Sequence, residues 1–263
     1  MARGAASRSL RHAGRVGVEM NSEFRIQNSE LNSSGQFERD GFQIVKSLVE
    51  PNECDLLAAE LTPLFEQQQK SAKSKIGGVR NLLHTNRHVS AFSKSQNLLS
   101  ALKGFSGLQM FPVRGIFFDK NPEANWLVPW HQDLAIAVVE QIDTTGFTGW
   151  SNKDGVIHVH PPREVLENMI TLRLHLDDCD SSNGALKVIA KSHRHGKLDA
   201  PSISKWANDN QPVVCKAARG DALFMRPLVL HSSTPSENPK HRRVLHIEYA
   251  AQELPNSLKW LEC

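Results

Sequence analysis

The spacing of hydrophobic residues changes period about a third of the way along the chain. From Pro51 to about Gln69, Leu56, Leu57, Leu61, Leu64 and Phe65 return every three or four residues. That spacing predicts an amphipathic helix opened by Pro51 and Asn52. Ahead of it, Phe37 to Val45 reads as a turn leading into a short strand. Behind it, residues 70–90 read as a mobile basic loop and about 90–104 as a second helix. From about residue 109 the apolar runs become short and are separated by turn residues. They predict strands near 109–119, 128–138, 156–160, 169–177, 185–190, 212–216, 222–231 and 243–250. Asp180-Ser181-Ser182-Asn183-Gly184 and Arg219-Gly220-Asp221 are turn signals. Residues 139–165 form a long Gly- and Pro-containing connection of the kind that often covers a site.

Helices followed by eight short strands give an α+β chain whose strands suit a double-sheet jelly roll, with the helices as an outer layer and a mouth at one end. A polar, Ser- and Asn-rich lead-in precedes them, so residues 1–35 are expected as a tail and 36–263 as one domain. A chain of 263 residues with 40% hydrophobic and 22% charged residues is long enough to bury a sizeable core. The formal charge of +3 is spread thinly, without the concentrated basic face that nucleic acid requires. No apolar run approaches the ~18 residues of a membrane span. Cys54, Cys179, Cys215 and Cys263 stand far apart with no C-x-x-C pair, which argues against a disulfide framework or a thiolate zinc site. A cytoplasmic protein, monomeric or homodimeric, is the expectation. The acid-free stretch with Arg3, Arg8, Arg11 and Arg15 has the composition of a transit peptide or a simple tail.

The chemistry lies in the histidines. On a strand, His-x-acid turns an imidazole and a carboxylate to one face. With a distant histidine this makes a two-histidine, one-carboxylate triad that leaves coordination positions open on Fe(II). Chance alone gives about one such match from 12 His and 28 acids, so the three present must be sorted by context. They are His131-Gln132-Asp133, His175-Leu176-Asp177 and His246-Ile247-Glu248. His246 and Glu248 have no later histidine to complete a set and read as strand packing. His175 and Asp177 leave room for only about two strands before His231. Asp133 and His231 have room for about four, so His131, Asp133 and His231 are the expected ligands. His231 closes a run that begins at Gly220-Asp221, and Arg242 follows it by 11 residues, across a hairpin-like connection. An arginine there can grip a carboxylate bidentately, and Ser233 can add a hydroxyl. Arg243 should face the opposite side. His158, His160, His193, His195 and His241 read as structural or surface residues, while Trp130, Phe117 and Trp150 are candidates to line the pocket.

Several of these motifs occur in order: Arg39-Asp40-Gly41-Phe42, Phe118-Asp119-Lys120, Trp126-Leu127-Val128-Pro129-Trp130-His131-Gln132-Asp133, Leu176-Asp177-Asp178, Asn183-Gly184-Ala185-Leu186, Ser192-His193, Gly220-Asp221, His231-x-Ser233 and Arg242. Over about residues 36–250 the chain resembles the phytanoyl-CoA dioxygenase family. One departure is Ala190-Lys191-Ser192-His193, where many relatives carry Pro-Gly-Ser-His. The resemblance implies a cupin-like double-stranded β-helix and an Fe(II) centre on His131, Asp133 and His231. It further implies that Arg242 pairs with the distal carboxylate of 2-oxoglutarate with help from Ser233, and that Arg114 lies near the cosubstrate, a role for which Lys120 competes. The implied reaction consumes O2, converts 2-oxoglutarate to succinate and CO2, and hydroxylates a C–H bond of a small molecule, with ascorbate in support. Related halogenases lack the carboxylate ligand, whereas Asp133 is present here. The competing expectation is a cupin-like isomerase or ligand-binding sensor, which would keep the triad but have no need of Arg242. The loops at 70–90 and 139–165 are expected to select the substrate.

Overall fold

The structure is a computed structural model that describes residues 34–71, 77–153 and 155–263; the basic N-terminal stretch lies outside them. The helices are α1 (Ser34–Asp40), α2 (Pro51–Ser71), α3 (Leu82–Thr85), α4 (Arg87–Ser93), α5 (Gln96–Ser106), α6 (Arg163–Glu167) and α7 (Ala200–Asp209). The strands are β1 (Phe42–Val45), β2 (Phe111–Lys120), β3 (Val128–His131), β4 (Ile136–Val138), β5 (Thr148–Lys153) and β6 (Val156–His160), then β7 (Met169–His175), β8 (Leu186–Ile189), β9 (Val213–Val214), β10 (Ala222–Met225), β11 (Leu230–Ser233) and β12 (Arg242–Ala250).

Two antiparallel sheets form the jelly-roll core, a five-stranded sheet in the order β1-β10-β7-β12-β2 and a four-stranded sheet in the order β3-β11-β8-β9. A smaller sheet, β4-β6-β5, stands beside them. Side chains alternate across the five-stranded sheet, as a two-residue period demands. One face carries Leu172, Leu174, Phe224, Leu245, Ile247 and Tyr249, which pack with Leu57, Leu61, Phe65, Phe92, Leu102 and Phe105 of the helices. On β10 the alternate residues Leu223 and Met225 join Val188 of the facing sheet and Val229, just ahead of β11. The double-stranded β-helix with flanking N-terminal helices is the fold that the sequence suggested.

Local departures have local causes. Runs 128–138 and 222–231 are each two strands rather than one, because β3 and β11 belong to one sheet while β4 and β10 belong to others. Helices α3 and α4 occupy part of the stretch read as a basic loop, and Val79 bridges to Phe117. Residues 139–165 hold the β5–β6 hairpin and the start of α6. Helix α7 escaped notice although its signals are present: Asp199 caps it by accepting from the Ser202 N–H, with Pro201 in the first turn. Among the described residues no helix is long and apolar enough to cross a membrane.

The C-terminal segment is tied in by Glu262, whose buried carboxylate accepts the N–H groups of Leu83 at 2.8 Å and Gly115 at 3.2 Å. Burial pushes this carboxyl up from 4.5 to about 7. Removing it leaves two buried donors unpaired at about 1–3 kcal/mol each, so Glu262→Ala should lower the unfolding free energy by about 2 kcal/mol or more. The folded protein holds the Glu262 proton between pH 4.5 and about 7 while the unfolded chain has released it. The stability difference between wild type and variant should therefore shrink as pH rises through that window. Urea titrations of both proteins at several pH values read it.

Candidate metal centre and cavity

Strands β3 and β11 pair antiparallel with His131 directly opposite His231. The chain then leaves the strand, and Asp133 is set by its backbone N–H on the Pro227 carbonyl, at 2.9 Å. Between the two ligand positions, Gln132 turns away and pins the segment. Its amide donates to the carbonyls of Gly196 and Leu228 and accepts the Leu198 N–H. A strand alternation followed by this clamp delivers all three side chains to one point. Their ligand atoms lie within 4.8 Å of one another.

Each imidazole has its tautomer fixed from behind. His131 Nδ1 donates to the Pro129 carbonyl at 2.8 Å and His231 Nδ1 to the Val229 carbonyl at 2.9 Å. That leaves both Nε2 lone pairs facing inward, each 3.6 Å from an oxygen of Asp133. Burial pushes His231 down to about 4 and so holds it neutral. Burial opposes the Asp133 charge, but the neighbouring His231 and His131 outweigh it and keep the carboxyl well below its ordinary range. Burial also lowers His131, yet its contact with Asp133 raises it overall. An ionised carboxylate and two convergent imidazoles are a donor set that fits Fe(II). The His131 and Asp133 side chains are about a third exposed, at 36% and 33%, so the site opens on one side.

The site lies in a cavity of about 190 Å³ lined by both large sheets. Phe118, Lys120, Arg173, Arg242 and His246 come from the five-stranded sheet, and Val128, Leu186 and Ser233 from the other, with Trp126 beside them. Arg242 and Lys120 are cross-strand partners. Lys120 Nζ donates to Ser233 Oγ at 2.9 Å and to the Thr234 carbonyl at 2.8 Å, which leaves the Ser233 hydroxyl proton free for a ligand. Arg242 lies beside the Cys179 thiol, and its buried Nε has no hydrogen-bond partner among the described residues. The Asn183-Gly184 turn presses on this group: Gly184 has φ +81°, and a Cβ there would sit 2.6 Å from the Thr234 carbonyl oxygen.

Other candidates fall elsewhere. Arg114 is not among the cavity-lining residues; its guanidinium donates to Glu248 and to His158, both at 3.1 Å, so of the competing pair it is Lys120 that reaches the cavity. His175 is buried with neither ring nitrogen bonded, and Asp177 faces outward in a bidentate pair with Arg243. Phe117 packs toward the helices and Trp150 beside the small sheet, so the aromatic walls are Phe118 and Trp126 instead. Among the described residues of 139–165 none lines the cavity. The residues that sequence reasoning missed are Arg173, which donates through Nη1 to His246 Nδ1 at 2.9 Å, and His246 itself. Their signal was alternation: Thr171, Arg173 and His175 share one face of β7, as do Arg242, His246 and Glu248 of β12.

A family model described as phytanoyl-CoA dioxygenase (PhyH) matches residues 37–244. No curated protein matches the sequence. Among solved structures, AviO1 from Streptomyces viridochromogenes is similar at 20% identity and a TM-score of 0.62, over 85% of this chain and 96% of that one. The non-heme alpha-ketoglutarate-dependent carbocyclase SnoK of nogalamycin biosynthesis is similar at 11% identity and TM-score 0.65, over 84% and 83%. EctD from S. alaskensis, crystallised with bound Fe, is similar at 16% identity and TM-score 0.65, over 87% and 80%.

Removing the shared anion should undo the donor set. Asp133→Ala should lose Fe(II) binding by at least about tenfold, read by equilibrium dialysis with metal analysis. Asp177→Ala, which breaks only an outer ion pair, should bind iron as the wild type does. Equal iron affinity in Asp133→Ala and wild type would exclude this centre.

Proposed function

Because the chain belongs to the phytanoyl-CoA dioxygenase family, we propose that it is an Fe(II)- and 2-oxoglutarate-dependent dioxygenase that hydroxylates a C–H bond of a small organic molecule. The observation that carries the reading is the pairing of two features within one cavity. Three convergent donor atoms lie at His131, Asp133 and His231, with two cationic side chains and a hydroxyl, Lys120, Arg242 and Ser233, nearby. EctD has been crystallised with 2-oxoglutarate and 5-hydroxyectoine, which is consistent in kind. When bound, iron and 2-oxoglutarate would supply the means of using O2 as the oxidant: one oxygen atom ends in the substrate hydroxyl and the other in succinate, as 2-oxoglutarate loses CO2.

The residues of this chain do the binding and orienting. Arg242 holds the distal carboxylate of the cosubstrate through its planar fork, Ser233 donates its hydroxyl proton to the same group, and Lys120 adds charge. Asp133 fills one coordination position and neutralises one metal charge. The backbone bonds at Nδ1 keep His131 and His231 from rotating away. Phe118, Trp126, Val128 and Leu186 give the cavity apolar walls that keep water from the reacting carbon.

Purified protein given Fe(II), ascorbate and 2-oxoglutarate should form succinate, slowly without primary substrate and faster with it. Arg242→Ala removes a charge-assisted contact worth about 1.5–3 kcal/mol. It should weaken 2-oxoglutarate binding by about ten- to a hundredfold while leaving iron affinity unchanged. A wild-type protein that binds iron but not 2-oxoglutarate would instead be a cupin-like metal protein without oxygenase activity.

A pH dependence follows from Lys120, which burial together with the neighbouring Arg242 brings down to about 7. A bound carboxylate raises it again, so binding above pH 7 must take up a proton. The association constant for 2-oxoglutarate should therefore fall as pH rises above about 7. Lys120→Met should bind more weakly at low pH and lack that slope. Calorimetric titration across about pH 6–9 reads both.

A further inference from the structure

We propose that the primary substrate of this site carries a carboxylate group and that Arg173 holds it. The inference rests on the iron and 2-oxoglutarate reading and adds the chemical class of the molecule oxidised.

The first observation is an excess of positive charge. Lys120, Arg173 and Arg242 line the cavity, and Asp133 is the one carboxylate among the lining residues. The nearby acids are already engaged. Glu248 pairs with Arg114, Asp177 with Arg243, and Asp119 with His241 on the other face of β2. Among the described residues none of the three cavity cations has a salt-bridge partner. A divalent metal with Asp133 and a dianionic cosubstrate leave one guanidinium charge uncompensated, even with Lys120 neutral. A buried cation without a counter-charge is costly. An anionic group on the substrate would offset it.

The second observation is where that cation stands. Arg242 and Lys120 form one cross-strand pair beside Ser233. Arg173 pairs instead with His246, four residues further along β12. At about 3.3 Å per residue the two backbone positions on β12 are about 13 Å apart, so the two guanidinium groups enter the one cavity from different points of the sheet.

The third is preorganisation. Nη1 of Arg173 donates to His246 Nδ1, so the Nε2 proton of His246 points at Glu248, 3.4 Å away. Glu248 is held by Arg114, which also donates to His158. The guanidinium lies over the Phe118 ring, with Cζ 5.6 Å from the ring centroid. Among the described residues neither Nε nor Nη2 has a partner, and Nε is buried. Those two N–H groups form one edge of the guanidinium, the edge that grips a carboxylate side-on.

The test uses the Fe(II)-loaded protein without oxygen, saturated with N-oxalylglycine, and titrated calorimetrically with benzoate, 3-phenylpropionate and hexanoate and with their three amides. Among the pairs, at least one acid should bind about tenfold or more tightly than its amide. Arg173→Gln should abolish that preference while leaving amide, metal and 2-oxoglutarate affinities within about twofold. Arg173→Lys, as a folding control, should retain part of it. Equal binding of acid and amide by the wild type in all three pairs would overturn the proposal. So would a tenfold loss of both 2-oxoglutarate and pyruvate binding in Arg173→Gln, which would give Arg173 to the keto-acid end of the cosubstrate. A wild type that fails to bind 2-oxoglutarate would sink the oxygenase reading instead. The same acid and amide titrations on the metal-loaded protein alone would then still report on the Arg173 subsite.

Discussion

His131 and His231 face one another across two paired strands, and each has its Nδ1 proton committed to a backbone carbonyl two residues before it. Both inward nitrogens are therefore lone pairs, and Asp133 stands where each can reach one of its oxygens. The register of β3 on β11 decides this. A slip of one residue would turn His131 to the other face and dismantle the group. The clamp at Gln132 and the Asp133 contact with Pro227 hold that register just where the chain leaves one sheet for another.

From that requirement comes the unusual interior. In most sandwiches the inner faces of the sheets are apolar. Here β2, β7 and β12 send Arg114, Phe118, Lys120, Arg173, Arg242, His246 and Glu248 inward. Glu248 offsets part of the desolvation by pairing with Arg114 and His246, while Lys120, Arg173 and Arg242 have no salt-bridge partner among the described residues, and each hydrogen bond also fixes a tautomer or a rotamer. The outward face of the same strands carries the stability. Leu172, Leu174, Leu245, Ile247 and Tyr249 are buried against the helices, so the sheet need not rely on its inner face for packing.

Much of this was legible in the residues. The metal group is a local motif plus one histidine, and Asn183-Gly184 and Gly220-Asp221 marked turns whose positive φ values bear them out. Helix α2 was plain because its apolar stripe is long. The corners were not legible. At Arg226 to Val229 the hydrophobic run continues while the chain passes from one sheet to the next, and periodicity carries no signal for such a crossing. Arg173 and His246 were hidden for a related reason. A polar residue at alternate strand positions ordinarily means solvent, and only the presence of a second sheet above it turns that face into a cavity.

This division of labour bears on how such a site can change its substrate. The outward residues of β7 and β12 are interlocked with the helical layer, where altering a buried side chain by even a methylene is felt throughout the packing. The inward residues are constrained by charge and hydrogen bonding instead. An exchange at position 173 or 246 disturbs a counter-charge or a donor and leaves the helix contacts untouched. Residues at the mouth of the metal group, Trp126 and Phe118, limit shape, whereas Arg173 limits charge. On the Arg173 proposal, selectivity for charge is set on the two strands β7 and β12, and the described residues of the long connection between β4 and β7 do not line the cavity.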